Sequence, residues 1–210
     1  MTESNNPIIA VSDLRKSYGR KMVIDVVRLT LAHGEKVLLW GPNASGKSTL
    51  LRLLAGVARP SGGRIVIDPD HRHSRRALLP QTGGLYDDLT VRQNLLILSR
   101  LHGRLPDDAP FLALLGDATD AHLDLRLGTL SGGMQRLLSI AALLSLRPGF
   151  LFLDEPFAGL DTPNRSLLER ALNDFTADTG LLVITEHSHD GVAEGWRRIA
   201  LRDGQIEAPT

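Results

Sequence analysis

The segment 41–49 constrains the fold of this chain more than any other stretch, and it reads Gly-Pro-Asn-Ala-Ser-Gly-Lys-Ser-Thr. It matches the pattern G-x-x-x-x-G-K-[ST], in which glycines let backbone N–H groups wrap an anion and a lysine supplies positive charge. An apolar run at 37–40 precedes it as a predicted strand, and leucines at helical spacing follow it at 50–54. This order predicts a binding site for a nucleoside triphosphate. The residues predicted to contact the nucleotide here are Gly41, Asn43, Ser45, Gly46, Lys47, Ser48 and Thr49.

Two carboxylates follow the apolar run at 150–153, which we interpret as another buried strand. A triphosphate in such a loop requires Mg²⁺, held by the loop hydroxyl and by a carboxylate at the end of a neighbouring strand. Ser48 and Asp154 fit these two positions, so both are predicted metal ligands. Glu155 comes next, where it is either simply solvated or polarises a water molecule for attack on the γ-phosphate.

Gln81 and His187 also stand directly after apolar runs. Gln81 is a candidate to reach the metal or the attacking water, and His187 a candidate to donate to the γ-phosphate. Each is a weak signal by itself, because a lone polar residue at a strand end is commonplace. Together with Asp154 and Glu155 they form a stronger set, since an open α/β sheet presents its ligand site at the carboxyl ends of its strands. Strands that alternate with helices in the central part of the chain predict such a parallel sheet.

Residues Ser131, Gly132 and Gly133 form a second candidate anion-binding helix start, in which a hydroxyl precedes two small residues that expose backbone N–H groups. Spacing alone leaves two interpretations, a close helix packing contact or the completion of a nucleotide site held mainly elsewhere. Tyr18, in a basic segment at 15–20 that we predict to be a turn, also has two. It is either a half-exposed loop aromatic or a ring that stacks on a nucleobase.

Local patterns predict several element boundaries. The segment 90–93 matches a capping box that opens an amphipathic helix. Ser131 is the predicted N-cap of a long helix that ends at 148–149, and Thr162 is the predicted N-cap of the next helix. The turn at 203–204 predicts a terminal hairpin.

Composition narrows the classes of protein and partner. The 210 residues suit one domain, and 24 basic residues balance 24 acidic ones, which argues against an electrostatic grip on nucleic acid. Cysteine is absent from the sequence, which excludes disulfides and thiolate metal sites. No apolar run approaches the roughly 20 residues of a membrane span, so the chain is not expected to cross a bilayer by itself. The basic segment 70–76 is interpreted as solvated, because no carboxylate or cysteine pattern completes a metal-ligand set.

Taken together, these motifs resemble those of the ATP-binding cassette (ABC) ATPases, and the resemblance covers essentially the whole chain. Seven motifs occur in the order of that family: Tyr18 (A-loop), 41–49 (Walker A), Gln81 (Q-loop), 130–135 (signature), 150–155 (Walker B), 158–161 (D-loop) and His187 (switch histidine). So many motifs in one order make the resemblance specific.

The resemblance implies an α/β fold with a P-loop NTPase core and a mostly parallel sheet, an N-terminal antiparallel β-subdomain and a short helical subdomain. The whole chain, 1–210, is then one ABC ATPase domain, with the helical subdomain at 88–147. The resemblance also implies that two copies pair head to tail. In that pair Ser131, Gly132 and Gly133 would act on the ATP that the other copy holds.

The function implied by the resemblance is ATP hydrolysis that drives an integral membrane permease subunit. The protein would lie in the cytoplasm, peripherally on the inner face of the cell membrane, as a homodimer that binds ATP and Mg²⁺ and no nucleic acid. The implied catalytic residues are Glu155, His187 and Gln81, and the implied metal ligands are Ser48, Gln81 and Asp154.

Some features bear on the type of transporter. Met134 stands where glutamine is commonest in the signature, and Leu137 and Ala142 stand where arginines usually follow it. The short helical subdomain and the expected lack of a carboxy-terminal accessory domain are similar to small export-type cassettes, including the haem exporter ATPase of cytochrome c maturation. We therefore expect an exporter. The alternative is a non-transporting regulator or mechanotransmitter with a cell-wall or repair-type role.

Overall fold

The computed structural model describes residues 7–25, 28–82, 84–102, 123–177, 180–188 and 195–207. The chain divides into two compact units. The first, which we call the sheet unit, comprises Met1–Leu78, Gly149–Glu155 and Thr176–Thr210, and the second, the helical unit, comprises Leu79–Pro148 and Pro156–Phe175. The helical subdomain predicted at 88–147 extends over residues outside the described ones, so its boundaries stay a prediction.

The strands of the described residues are β1 (Pro7–Tyr18), β2 (Lys21–Asp25), β3 (Leu29–Ala32), β4 (Lys36–Trp40), β5 (Gly62–Ile67), β6 (Arg76–Leu79), β7 (Phe150–Asp154), β8 (Leu181–Glu186), β9 (Arg197–Arg202) and β10 (Gln205–Ile206). The helices are α1 (Lys47–Leu54), α2 (Val91–His102), α3 (Gly132–Leu144) and α4 (Thr162–Ala177), with short 3₁₀ helices at Pro69–His71 and Leu127–Thr129.

An antiparallel sheet forms around β1, which pairs with β2, β3 and β5. Because β1 continues to Tyr18, the turn predicted at 15–20 is wrong over its first four residues. Arg15 lies opposite Asp25 of β2, and the two side chains form an ion pair at 3.2 Å, which favours strand pairing at this point. The turn itself is confined to Gly19 and Arg20.

The other sheet has the strand order β10-β9-β4-β8-β7-β6. Both β4 and β7 pair in parallel with β8, and β9 pairs in parallel with β4, which confirms the predicted parallel sheet. Every residue of β7 is buried, as is expected of central strands that are covered on both faces. The residues that follow β4, β7 and β8 therefore share one edge of the sheet.

The core of the sheet unit is built where α1 packs on this sheet. The leucines predicted at 50–54 are buried to 1% exposure or less and belong to one cluster with Phe150 and Phe152 of β7. Apolar burial of this kind contributes roughly 25 cal/mol per Å² removed from water. It fixes the first turn of α1, and with it the preceding loop, against the sheet.

Side-chain caps open two helices of the helical unit as predicted. The Gln93 amide N–H donates to the Thr90 hydroxyl at 3.1 Å, and the Thr90 N–H donates to Gln93 Oε1 at 2.9 Å. This reciprocal pair is the capping box expected at the start of α2. The Ser131 hydroxyl accepts a hydrogen bond from the Met134 N–H at 3.3 Å, which confirms Ser131 as the N-cap of α3.

Two predicted helix boundaries were wrong. Helix α4 is capped by Asp161, whose Oδ1 accepts from the Asn164 N–H at 3.0 Å, and not by Thr162. An aspartate at this position satisfies an amide of the first turn, so the helix begins one residue earlier than expected. Helix α3 ends at Leu144, before its predicted end, and Arg147 has a φ of 45°, outside the α-helical region.

Three further findings concern membrane spans, the basic segment 70–76 and metal sites. Among the described residues, no helix combines the length and the apolar character needed to cross a membrane. In the basic segment 70–76, the His71 ring lies 5.3 Å from the His33 ring, centroid to centroid, and Arg72 and His73 are exposed. The part of the chain that the structure describes contains no group of three or more histidine, aspartate or glutamate side chains arranged to hold a metal ion.

Candidate functional site

The glycines of the loop between β4 and α1 sit where the backbone leaves no room for a side chain. Gly46 has a φ of 105°, and a Cβ on it would lie 2.8 Å from Ile24 Cδ1 and 3.0 Å from the Val23 carbonyl oxygen. A Cβ on Gly41 would collide with the Leu201 carbonyl oxygen. Both positions therefore require glycine, and the loop is enclosed by β2 on one side and β9 on the other.

The terminal hairpin also holds this loop through the backbone. The Gly204 N–H donates to the Ser45 carbonyl oxygen at 3.0 Å, and the Gly204 carbonyl oxygen accepts from the Asp25 N–H at 3.2 Å. Gly204 has a φ of 77°, and a Cβ on it would collide with the Val23 carbonyl oxygen. The turn at Gly204 is thus a bridge between the loop and β2. The sequence predicted the hairpin but carried no signal of this contact.

Two polar groups of the loop are buried. Ser45 is 3% exposed, and its hydroxyl has no hydrogen-bond partner among the described residues. Lys47 is 6% exposed, and its Nζ donates to the carbonyl oxygens of Gly41 at 2.7 Å and of Pro42 at 3.1 Å. A buried hydroxyl without a partner costs free energy unless a ligand satisfies it. An orphaned hydroxyl beside a buried ammonium fits an anionic ligand.

The charge on Lys47 is influenced by three carboxylates. Burial lowers the pKa of Lys47 below its ordinary value, while Glu155, Asp154 and Glu186 oppose this shift and raise the pKa. Lys47 therefore lies within electrostatic reach of Asp154 and Glu155 at the end of β7. Asn43 is exposed at the mouth of the loop, and Ser48 and Thr49 are half-buried at the start of α1.

The acidic pair lies at the carboxyl edge of the parallel sheet. Asp154 is 3% exposed and Glu155 is 9% exposed. Glu155 Oε1 lies 2.9 Å from Nε2 of His187, which follows β8 and is about half exposed. Because β8 separates β4 from β7, the sheet brings Asp154, Glu155 and His187 to the same edge as the loop. This is the arrangement that the sequence predicted for these three residues.

One residue of this edge was missed by sequence reasoning. Thr185, at the end of β8, is fully buried, and its hydroxyl donates to Asp154 Oδ1 at 2.6 Å. The Thr185 hydroxyl oxygen in turn accepts a hydrogen bond from the Glu155 N–H at 3.0 Å. The available signal was a polar residue ending an otherwise apolar strand, two positions before His187.

Glu155 itself has an unusual backbone. Its φ is 52°, a conformation that non-glycine residues seldom adopt, that costs about 1–3 kcal/mol and that persists only where the surroundings enforce it. Its main chain is held by Thr185 and its side chain contacts His187. Strain of this kind at a buried carboxylate is typical of functional sites.

The second helix start lies in the helical unit and is more open. Ser131 and Gly132 are exposed, and a Cβ on Gly132 would meet no atom of the described residues within 4 Å. A Cβ on Gly133 would lie 2.9 Å from the Gly159 carbonyl oxygen, so Gly133 is in close contact with the predicted D-loop. One of the two interpretations left open by the sequence, a close packing contact, therefore applies to Gly133 and not to Gly132.

Gln81 lies in the same unit, where its backbone is linked to α3. Arg136 Nη1 donates to the carbonyl oxygens of Pro80 at 2.7 Å and of Gln81 at 3.1 Å. Arg136 on α3 thereby fixes the main chain at the predicted Q-loop. This contact was also absent from the sequence prediction.

Tyr18 is 50% exposed at the end of β1. The ammonium of Lys16 lies 4.8 Å from its ring centroid, a cation–π contact, and the same Nζ donates to the Arg59 carbonyl oxygen at 2.9 Å. The ring is therefore held from one side and keeps a large exposed area.

Comparison with known proteins gives a consistent result. A family model described as ABC transporter matches residues 24–158. The Nod factor export ATP-binding protein I of Rhizobium sp. (strain N33) is 35% identical over 190 residues, which cover 85% of this chain and 62% of that protein. The chain thus spans less than two thirds of the length of this curated relative.

Solved structures agree with the fold. A structure described as an ATP binding subunit of an ABC transporter superposes with a TM-score of 0.82 at 26% identity, covering 96% of this chain and 88% of that chain. A dimeric bacterial ABC transporter cassette superposes with a TM-score of 0.80 at 24% identity, covering 95% and 97%. Both confirm the predicted α/β fold.

Proposed function

The chain belongs to the ABC transporter family, and on that premise we propose that it is the ATP-hydrolysing subunit of a membrane exporter. The observation that carries hydrolysis is the strained, buried Glu155 beside Asp154 and His187, at the sheet edge that also holds the phosphate-binding loop. Export is supported by relatives that are named for the export of Nod factor. These names do not favour the alternative of a non-transporting regulator.

The main ATP-binding element in this proposal is the loop between β4 and α1. The amides at the start of α1 and the Lys47 ammonium receive the phosphates, and the Ser45 hydroxyl gains the partner that it lacks among the described residues. Asn43 and Thr49 flank these groups, and Tyr18 presents its exposed ring to the nucleobase.

Mg²⁺ is proposed to bind the Ser48 hydroxyl and the Asp154 carboxylate. Oxygen donors of this kind are the ligands that Mg²⁺ prefers. When bound, the ion neutralises charge that develops on the transferred phosphoryl group. Gln81 is proposed as a further oxygen ligand on the family resemblance alone.

Glu155 is proposed as the general base. Its carboxylate accepts the proton of the water that attacks the γ-phosphate. His187, whose Nε2 lies 2.9 Å from that carboxylate, is proposed to turn its one N–H from the carboxylate to the γ-phosphate when ATP is bound. General-base catalysis typically accelerates a reaction about 10²–10⁴-fold.

A second copy of the chain completes the site in this proposal. Ser131, Gly132 and Gly133 would close on the ATP held by the other copy, as the family resemblance implies. The exposure of Ser131 and Gly132 supports this, because an open helix start leaves its amide groups accessible to an anion. A dimer is described for a related cassette of the same fold.

The membrane subunit is proposed to dock on the helical unit. A groove of about 270 Å³ there is lined by residues of α2 and of the segment before it, and Tyr86 and Leu101 at this groove are 60% and 73% exposed. Large exposed apolar residues around a groove favour a protein contact. Such docking would hold the chain in the cytoplasm at the inner face of the membrane.

The hydrolytic role is tested with Glu155→Gln in the purified protein. Phosphate release should fall by about 10²–10⁴, because the base is lost, while ATP binding persists and gel filtration shows an ATP-dependent dimer. Glu207→Gln, which changes an exposed ion pair with Arg202, is the matched control and should leave turnover unchanged. Unchanged turnover in Glu155→Gln refutes the assigned base, and a wild-type protein without ATPase activity refutes the function.

The docking surface is tested separately. Leu101→Asp should abolish co-purification with a multi-span membrane protein, while Val57→Asp, at a residue 69% exposed in the sheet unit, should not. Equal capture by both variants contradicts docking at this groove.

A further inference from the structure

We propose that Thr185 is a positioning residue for Asp154, the last residue of β7, and for Glu155, which follows it. Its hydroxyl orients Asp154 and fixes the left-handed backbone of Glu155 at the same time. The inference rests on the proposed ATP hydrolysis, but it concerns a residue outside the motifs that identify the family.

The geometry leaves the hydroxyl only one arrangement. Thr185 and Asp154 lie opposite each other in the β7–β8 pairing, which brings the Thr185 hydroxyl next to the Asp154 carboxylate. A hydroxyl carries a single proton, and at 2.6 Å from Asp154 Oδ1 this proton is donated to the carboxylate. The Thr185 oxygen then accepts from the Glu155 N–H at 3.0 Å. Both contacts are buried, so water does not replace them.

The acceptor contact matters because of the Glu155 backbone. A φ of 52° is unfavourable for glutamate and persists only when neighbouring groups enforce it. Thr185 holds the main-chain end of this residue, and His187 contacts its carboxylate at 2.9 Å. Thr185 near the end of β8 and His187 just after it thus hold both ends of the proposed base.

Packing alone does not explain a threonine here. The other residues of β8 before Glu186 are Leu181, Leu182, Val183 and Ile184, and a valine has the shape of threonine without its hydroxyl. Burying a hydroxyl costs free energy unless it is hydrogen-bonded. Here it is bonded on both sides to groups of the proposed site, and partners of metal-binding carboxylates orient them for binding and catalysis.

The test compares Thr185→Val, which keeps the shape, with Thr185→Ser, which keeps the hydroxyl. In the valine variant the turnover number should fall about 10–100-fold, and Mn²⁺ affinity in the presence of a non-hydrolysable ATP analogue, measured by electron paramagnetic resonance, should weaken about 10-fold. Nucleotide affinity measured in EDTA should stay within about 3-fold, because the loop is untouched. Thr185→Ser should recover most of both losses.

Thr176→Val is the matched control. Thr176 is 8% exposed on α4, and its carbonyl oxygen lies near Gly34, which precedes β4 at the opposite edge of the sheet. It should change neither turnover nor Mn²⁺ affinity. If Thr185→Val does not fold, Thr185→Ser and Thr185→Ala are compared instead, since they differ by the hydroxyl alone.

Three results would overturn the inference: normal Mn²⁺ affinity and turnover in Thr185→Val, equal defects in the valine and serine variants, or equal turnover in the serine and alanine variants. Each of these is read against a wild-type protein that hydrolyses ATP. A wild-type protein that hydrolyses none would refute the proposed function instead, and the two failures are therefore distinguishable.

Discussion

The starts of α1 and α3, both predicted to bind an anion, differ in how their N-terminal amides are satisfied. At the start of α1, Gly46 supplies no side-chain cap, and the buried groups of Ser45 and Lys47 face inward. At the start of α3, the Ser131 hydroxyl caps the helix from within the chain, and Gly132 is exposed. One start is uncapped and enclosed, and the other is capped and open.

This difference indicates different roles. An enclosed start with an orphaned hydroxyl and a buried ammonium is incomplete without an anion, so its structure favours ligand binding within one chain. A capped and open start is complete by itself, and a ligand can reach it only from outside the chain, for example when another copy holds that ligand. The pairing of two copies, which we propose, would give the second start its ligand.

Among variants at these two helix starts, the largest effect is expected from removing the buried charge of Lys47 at the enclosed start. Lys47→Ala should weaken ATP binding about 100-fold, because charge-assisted contacts to phosphate contribute about 1.5–3 kcal/mol each. Fluorescent nucleotide titration measures this. Lys36→Ala, at the opposite end of β4, is the matched control and should bind ATP as the wild type does. If Lys47→Ala binds ATP normally, the enclosed start is not the nucleotide site.

The enclosed start was largely predictable from the sequence, whereas its surroundings were not. The loop, the strand before it, the helix after it and the acidic pair at the end of β7 follow from local patterns, because glycine spacing and apolar runs act over a few residues. Gly204 and Thr185 were missed because their partners, Ser45 and Asp154, lie far away in the sequence. Such contacts depend on strand order, which a pattern in one segment does not reveal.

An intermediate effect is expected at the open start, where two neighbouring glycines provide a matched pair. Gly133→Ala should lower the unfolding free energy by about 1–3 kcal/mol, because the new Cβ would lie 2.9 Å from the Gly159 carbonyl oxygen. Gly132→Ala should change stability by less than about 0.5 kcal/mol, since its Cβ meets open space. Urea denaturation measures both.

The same pair sharpens the comparison of the two starts. If Gly132 faces the ATP of a second copy, the added methyl group of Gly132→Ala should crowd the closed dimer. The rate of phosphate release should then fall about 10-fold, which corresponds to an increase of about 1.4 kcal/mol in the activation free energy. Its binding of ATP as a separate chain should not change, because the enclosed start is intact. Full turnover in Gly132→Ala would show that the open start does not meet nucleotide.

Predictability differed in the same way within the helical unit. Ser131 as N-cap and the capping box at Thr90 were predicted, because a cap involves residues only three apart. The cap of α4 was assigned to Thr162 although Asp161 makes the contact, since two adjacent residues with capping side chains compete and the backbone geometry decides between them. Sequence patterns thus gave the element and missed its first residue.

The smallest effects are expected from the two serines, and they should have opposite signs. Ser131→Ala removes a cap and should lower the unfolding free energy by about 1 kcal/mol. Ser45→Ala removes a buried hydroxyl that lacks a partner among the described residues, so it should raise the thermal midpoint slightly, by up to about 1 kcal/mol in stability. Thermal unfolding in EDTA without nucleotide measures both. With ATP present the gain in Ser45→Ala should disappear, because the wild-type hydroxyl then has a phosphate partner. Changes of equal sign would mean that the two starts do not differ in how their polar groups are satisfied.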